Sequence, residues 1–258
     1  MPERDSYAPG TPNWVDLTTP DVDGAKAFYE PLFGWTAVPA GPPEETGGYE
    51  NFESGGRRVA GVGPVMGEGQ PTYWATYFAT EDVDALTQRV KAAGGNVLLE
   101  PMDVLDAGRM AIFVHPAAGM FAGWQAGSHT GAQLVNEPVS VAWNALMTRD
   151  VPAASAFLTE VFEGLSAETQ QFGGGPYTVL MVDGAGVGGV SPMPPGVPDE
   201  APAFWNVSFA VEDTDATVAR ATELGGTVIL EAFDMETVGR VAGLTDPFGA
   251  AFSIVSLA

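Results

Sequence analysis

A chain of 258 residues, 45% apolar and 17% charged, is long enough for two medium domains and too apolar to be disordered. Its 33 acidic side chains against ten basic ones give a net charge of −23, a sign that repels phosphate backbones and argues against nucleic-acid binding. No run of 18 apolar residues is available for a membrane helix, and the lack of cysteine removes disulfide and thiolate chemistry.

In chain order, "MPERDSYAPGTP" shows no basic region followed by an apolar stretch. No secretory signal is therefore visible, residues 1–10 read as a tail, and a cytoplasmic location is expected. The stretch "NWVDLTTPDVDGAKAFYEPLFGW" then opens with an alternating strand from Trp14 to Thr18. Asp21 stands where a helix N-cap belongs, because its carboxylate can accept the orphan N–H groups of the first turn. Ala25, Phe28 and Leu32 follow at helical spacing, and Gly34 stops the helix. Two glycine-punctuated β segments, "GYENFES" and "RRVAGVGPV", complete the unit.

The same grammar returns from Trp74, Trp143 and Trp205, with Asp82, Asp150 and Asp213 in the capping position. Residues 73–127 and 204–258 align without a gap, sharing Trp74/Trp205, Phe78/Phe209, Glu100/Glu231, Asp103/Asp234 and Arg109/Arg240. The chain reads as a duplication of a duplication, with breaks near 60 and 130. "AGSHTGAQLVNEP" (126–138) is polar and turn-rich and reads as a linker between a domain at 11–125 and another at 139–258. The expected class is α+β, with the order βαβββ used four times. "GAGVGGV" (184–190) lies among β segments with no helix after it, so it is no dinucleotide loop, and "GGGP" (173–176) reads as a turn.

With this repeat, "TTPDVDGAKAFYEPLFGW", "GRMAIFVHPAAGMFAGWQ" and "GRVAGLTDPFGAAFSIV", the chain resembles the vicinal oxygen chelate superfamily of glyoxalases, bleomycin-resistance proteins and extradiol dioxygenases. It is most similar to tandem-domain, glyoxalase-like members from actinobacteria. The resemblance implies curved mixed sheets, helices on their outer faces and a ligand on each concave face. Strand alternation then points Val15 and Leu17 toward the helix and Trp14, Asp16 and Thr18 into the cleft.

Metal-using relatives place ligands at the heads of the first and fifth strands and eight positions into a "DPxGxxxE" segment. Here those six positions hold Trp14, Ala75, Ala122, Trp143, Asn206 and Ser253. Indole and alanine offer no donor, and Asn or Ser alone holds a divalent ion weakly. With two histidines in the chain, His115 and His129, the expectation is no metal and no other cofactor.

Features that differ between the halves are the candidates for chemistry: Asp16 against Ala145, Tyr77 against Ser208, Ala75 against Asn206, Ala122 against Ser253 and His115 against Asp246. Asp16 and Tyr77 are the candidate catalytic pair, since a carboxylate facing an aromatic cleft has a raised pKa suited to acid–base work. Trp14, Trp143, Asn206, Ser208, Ser253 and Met120 are candidate substrate contacts, with the two indoles as stacking walls. Arg109, Arg240, Asp103, Asp234, Glu100 and Glu231 read as structural pairs, Trp74 and Trp205 as core, and His115 as a turn cap. Met66, Met102, Met147, Met181 and Met193 could add an adaptable apolar lining. The expected function is metal-independent action on a hydrophobic or aromatic small molecule in natural-product biosynthesis, by isomerisation, ring opening or elimination. The alternative is non-catalytic binding or sequestration of such a molecule, by a monomer or homodimer.

Overall fold

The computed structural model describes residues 4–65, 67, 69–172 and 175–258. Met66 and part of the turn read at 173–176 lie outside them. The elements run β1 (Pro12–Thr19), α1 (Val22–Phe33), β2 (Thr36–Pro39), α2 (Pro43–Thr46), β3 (Glu50–Ser54) and β4 (Arg57–Pro64). Next come β5 (Tyr73–Ala79), α3 (Val83–Ala92), β6 (Asn96–Val104), β7 (Gly108–His115) and β8 (Gly119–Ala126). The second half has β9 (Val141–Thr148), α4 (Val151–Val161), β10 (Leu165–Phe172), β11 (Gly175–Val182) and β12 (Ala185–Pro192). It ends with β13 (Phe204–Ala210), α5 (Thr214–Glu223), β14 (Thr227–Met235), β15 (Gly239–Thr245) and β16 (Ala251–Leu257). The first repeat boundary falls between Pro64 and Tyr73, slightly beyond the break read near 60.

Each half forms one eight-stranded mixed sheet, in the orders β2-β3-β4-β1-β5-β8-β7-β6 and β10-β11-β12-β9-β13-β16-β15-β14. The two orders are the same order shifted by eight strands, as duplication requires. All four candidate caps act as such: Asp21, Asp82, Asp150 and Asp213 accept from the N–H of Gly24, Ala85, Ala153 and Ala216 at 2.9–3.0 Å. Gly34 closes α1 with φ +70°, the left-handed conformation that glycine adopts without strain.

The helices cover the outer faces of the sheets, and those faces are turned toward each other rather than toward water. One core joins Leu17, Phe28, Tyr29, Phe33, Trp35 and Trp74 of the first half to Val207, Phe209, Phe252 and Ile254 of the second. The other joins Phe78, Leu86, Phe113 and Phe121 to Leu146, Phe157, Val161 and Trp205. Phe33–Phe209 and Phe78–Trp205 ring contacts, at 5.3 and 5.0 Å, cross the two seams. Trp74 and Trp205 are thus core residues, as strand parity requires.

The repeated arginines are structural. Arg109 bridges Asp84 and Asp103, and Arg240 bridges Asp215 and Asp234 in the same geometry. Glu100 pairs with Lys91. His115 accepts from the N–H of Ala117 at 3.2 Å, capping its turn, and stacks on Phe157 at 4.0 Å. Its counterpart Asp246 accepts from the N–H groups of Phe248 and Ala250 and from the Tyr29 hydroxyl, which in turn accepts from Trp74 Nε1. Among the described residues no helix is long and apolar enough to cross a membrane.

Candidate functional site

On β1, Val15 and Leu17 enter the core while Trp14 and Asp16 turn to the concave side. Asp16 is 7% exposed. Its Oδ2 accepts hydrogen bonds from the Tyr77 hydroxyl at 2.8 Å and the Tyr49 hydroxyl at 3.2 Å. Its Oδ1 receives none among the described residues. Burial pushes the carboxyl up to about 6, and the two phenol hydrogen bonds pull it partly back. Burial raises both phenols too, and the Asp16 charge adds to it. At neutral pH the constellation is therefore a carboxylate held by two neutral hydroxyl donors, with no cation on it among the described residues.

Trp14 keeps the concave-side position that strand parity assigns it. It is buried, and its Nε1 donates to the Tyr49 hydroxyl at 2.9 Å, so that Tyr49 can direct its own proton at Asp16. Gly61 makes this possible, because a Cβ on Gly61 would collide with the Tyr49 hydroxyl. Sequence reasoning missed Tyr49. The signal was present in the pairing of "GYENFES" with "RRVAGVGPV", in which an aromatic faces a glycine across neighbouring strands.

The linker also belongs to this site. Ala132 N donates to Asn13 O, Gln133 N to Arg58 O and Trp124 Nε1 to His129 O, so residues 129–133 strap one end of the first sheet. His129 is buried with its ring edge-on to Trp14 at 4.4 Å, and its Nδ1 lies 3.0 Å from Arg58 Nη1. Burial first, then the Arg58 charge, lowers its pKa to about 4, so the imidazole is neutral and accepts from Arg58. Trp14, Tyr77, Ala122, Trp124 and Ala132 form a small core of their own on this concave face. Met120 falls on the same face of β8, half-buried and opposite Val114.

In the second half, Trp143 Nε1 donates to the Tyr177 hydroxyl at 2.7 Å, repeating the indole–phenol pair, and Gly189 gives Tyr177 its room. The carboxylate is missing, since Ala145 occupies its register. Asn206, Ser208 and Ser253 come together instead: Asn206 Nδ2 lies 3.0 Å from Ser253 Oγ and 3.5 Å from Ser208 Oγ. The candidate residues therefore divide into two groups on separate concave faces, Asp16, Tyr77, Trp14 and Met120 on one and Trp143, Asn206, Ser208 and Ser253 on the other. Two cavities of about 570 and 520 Å³ lie elsewhere, in the groove between the halves and under the N-terminal tail.

The residues do not fit a divalent metal. Trp14, Ala75 and Ala122 on one face and Trp143, Asn206 and Ser253 on the other lack imidazole or carboxylate donors. Among the described residues no three His, Asp or Glu side chains converge on a metal position either.

Four βαβββ units, two curved sheets and polar groups on the concave faces define a class. Residues 11–120 and 140–254 match the model of the Glyoxalase/Bleomycin resistance protein/Dioxygenase superfamily, and the chain belongs to that superfamily. Among its relatives, the anthracycline biosynthesis protein DnrV of Streptomyces peucetius is 43% identical over 97% of this chain and 94% of its own. CFP32 of Mycobacterium bovis is 43% identical over 99% of this chain and 98% of its own. The Mn(II)-bound glyoxalase of Novosphingobium aromaticivorans shares the fold, with a TM-score of 0.66 at 20% identity over 96% of this chain and 82% of that one. The 2,3-dioxygenase LapB of Pseudomonas sp. KL28 gives 0.64 at 13% identity over 95% and 91%.

Proposed function

We propose that the chain is a metal-independent, glyoxalase-like protein of natural-product metabolism that moves a proton on an oxygenated aromatic or hydrophobic small molecule. The observation that carries this reading is the Asp16 carboxylate, buried and, among the described residues, without a cation and bound by two phenols through one oxygen only. In this reading Oδ1 takes a proton from a carbon next to a carbonyl or from a phenolic oxygen. Tyr77 and Tyr49 stabilise the carboxylate before transfer and can turn toward the oxygen that gains charge afterwards. The proton returned to a different atom of the same molecule gives isomerisation; loss of a leaving group gives elimination or ring opening. The relatives named for anthracycline biosynthesis support an aromatic, oxygen-rich substrate.

The test is a panel of hydroxylated aryl ketones incubated with wild-type protein and Asp16→Asn, with products followed by mass spectrometry. Turnover by the wild type and its loss in a variant that still binds the compound is the expected result. Equal turnover by both overturns the mechanism. Saturable binding without any product would make the protein a sequestering one.

A further inference from the structure

Asp16, Trp14 and Tyr77 are 7%, 5% and 7% exposed, so a molecule larger than water does not reach the Asp16 carboxylate while the first cleft keeps this arrangement. The second half is not closed in this way. There Trp143, Ser208 and Ser253, the counterparts of Trp14, Tyr77 and Ala122 in strand register, are all half-buried. The two sheets share one strand order, and one difference between them is what is laid on top. On the first it is the strap at 129–133. His129 packs on Trp14 and Trp124, and Ala132 joins the cluster of Trp14, Tyr77 and Ala122. Among the described residues no segment repeats this strap on the second face.

The strap is fastened at two places. Its start hangs on the turn between β6 and β7, with Gly127 N and His129 N both donating to Ala107 O. Its end lies under the N-terminal tail, where the Tyr7 hydroxyl donates to Ala132 O at 2.6 Å and Arg4 N to Gln133 O at 3.1 Å. Tail, strap and β1 meet at Gly131, whose φ is +126° and where a Cβ would collide with Asn13 O and the Tyr7 ring. The tail is loosely backed, since the cavity of about 520 Å³ lies under it, between Tyr7, Gln133 and Val187.

The closed strap also leaves polar groups unmet. Asn13 Oδ1 and His129 Nε2 are buried and have no partner among the described residues. With Nδ1 accepting from Arg58, Nε2 carries the imidazole proton, so one buried acceptor and one buried donor lack a bond. Water meets both when the strap lifts, which offsets part of what the broken bonds cost.

We propose that residues 129–133 are a lid on the first cleft and that the N-terminal tail is its latch. The strap lifts locally, with both apolar cores intact, and admits a small molecule to Asp16. Its service as an entrance rests on the proton-transfer reading of Asp16; the lifting itself does not.

Because the chain has no cysteine, a single introduced thiol reports opening by its rate of reaction with N-ethylmaleimide. Ala122→Cys lies beneath the strap, Ala111→Cys in a convex core and Ser128→Cys in water. Ala122→Cys should react at least about 100-fold more slowly than Ser128→Cys and at least about tenfold faster than Ala111→Cys. Adding Tyr7→Phe, which removes one bond of the latch, should speed Ala122→Cys about three- to tenfold. Gly131→Ala, which wedges the tail from the strap, should speed it further, and Ala111→Cys should keep its own rate in both backgrounds. Ala122→Cys reacting as fast as Ser128→Cys would mean that nothing covers the face, and reacting as slowly as Ala111→Cys that it opens only on unfolding. Either result overturns the lid. So does a Tyr7→Phe background that leaves Ala122→Cys unchanged or speeds both buried thiols equally. None of these rates involves a substrate, so the lid and the proton-transfer reading fail separately.

Discussion

Where the first cleft holds Asp16, Tyr77, Ile112 and Trp124, the second holds Ala145, Ser208, Gly243 and Val255, on the same strands and in the same register. Both keep the indole-to-phenol hydrogen bond, Trp14 to Tyr49 and Trp143 to Tyr177. The shared pair therefore belongs to the module, while the carboxylate is an addition confined to one copy. That addition is costly. An acid raised from 3.8 to about 6 by burial costs the folded state about 3 kcal/mol once ionised. A group held at such a cost, with no cation among the described residues to offset it, is a candidate for function rather than for stability.

The largest effect expected from breaking this contrast is kinetic. Asp16→Asn should lower turnover of a converted substrate by about 100- to 10,000-fold, measured as kcat with binding checked separately. The same variant should raise stability at pH 8 by as much as about 3 kcal/mol in urea unfolding. The pH dependence has a definite sign. Below pH 4 the carboxyl is protonated in both states and contributes nothing. As pH rises from 4 through 6 the unfolded state ionises more readily, so wild-type stability should fall, whereas Asp16→Asn should lack that component.

The reciprocal graft, Ala145→Asp, sharpens the comparison from the other side. With the Tyr177 hydroxyl as its nearest phenol and a serine in place of Tyr77, the new carboxylate should destabilise by about 1–3 kcal/mol at pH 8 and by less at pH 4.

The two convex seams invite smaller tests. One is joined by Tyr29, which donates to the buried Asp246 at 3.1 Å; the other has His115 stacked on Phe157 instead. Tyr29→Phe should cost about 1–2 kcal/mol, since Asp246 loses a donor in a buried seam. His115→Ala should cost only about 0.5–1.5 kcal/mol, the value of one aromatic contact. Both are read as shifts in the midpoint of thermal unfolding.

Much of the fold was legible because the repeat supplied four readings of one pattern. Asp21, Asp82, Asp150 and Asp213 could be recognised as caps from spacing alone, since capping is local. Strand parity likewise separated Trp14 and Trp143 from Trp74 and Trp205. The site was legible only in part. Asp16 and Tyr77 lie 61 residues apart yet meet at 2.8 Å, and their meeting followed from differences between equivalent positions. Tyr49 and Arg58 escaped notice, and His129 was weighed only as a metal ligand, because their roles depend on a side chain crossing a glycine and on a linker folding back. Neither leaves a periodic trace. The turning of the two helix-covered faces toward each other was hidden for the same reason, as an amphipathic helix looks alike whether it covers one sheet or lies between two.

That arrangement of seams has a consequence for what counts as a folding unit. All the strand pairing of each half is internal to it, but each apolar core draws on both halves. A backbone cut at Gly131, in the strap, would sever no strand ladder and would leave each fragment with a helix-bearing face designed for the other. Expressed separately, the pieces 1–131 and 132–258 should each bind an apolar-surface dye, and on mixing they should reassemble into a one-to-one complex that no longer does. The protein would then behave as a complementing pair carried on one thread.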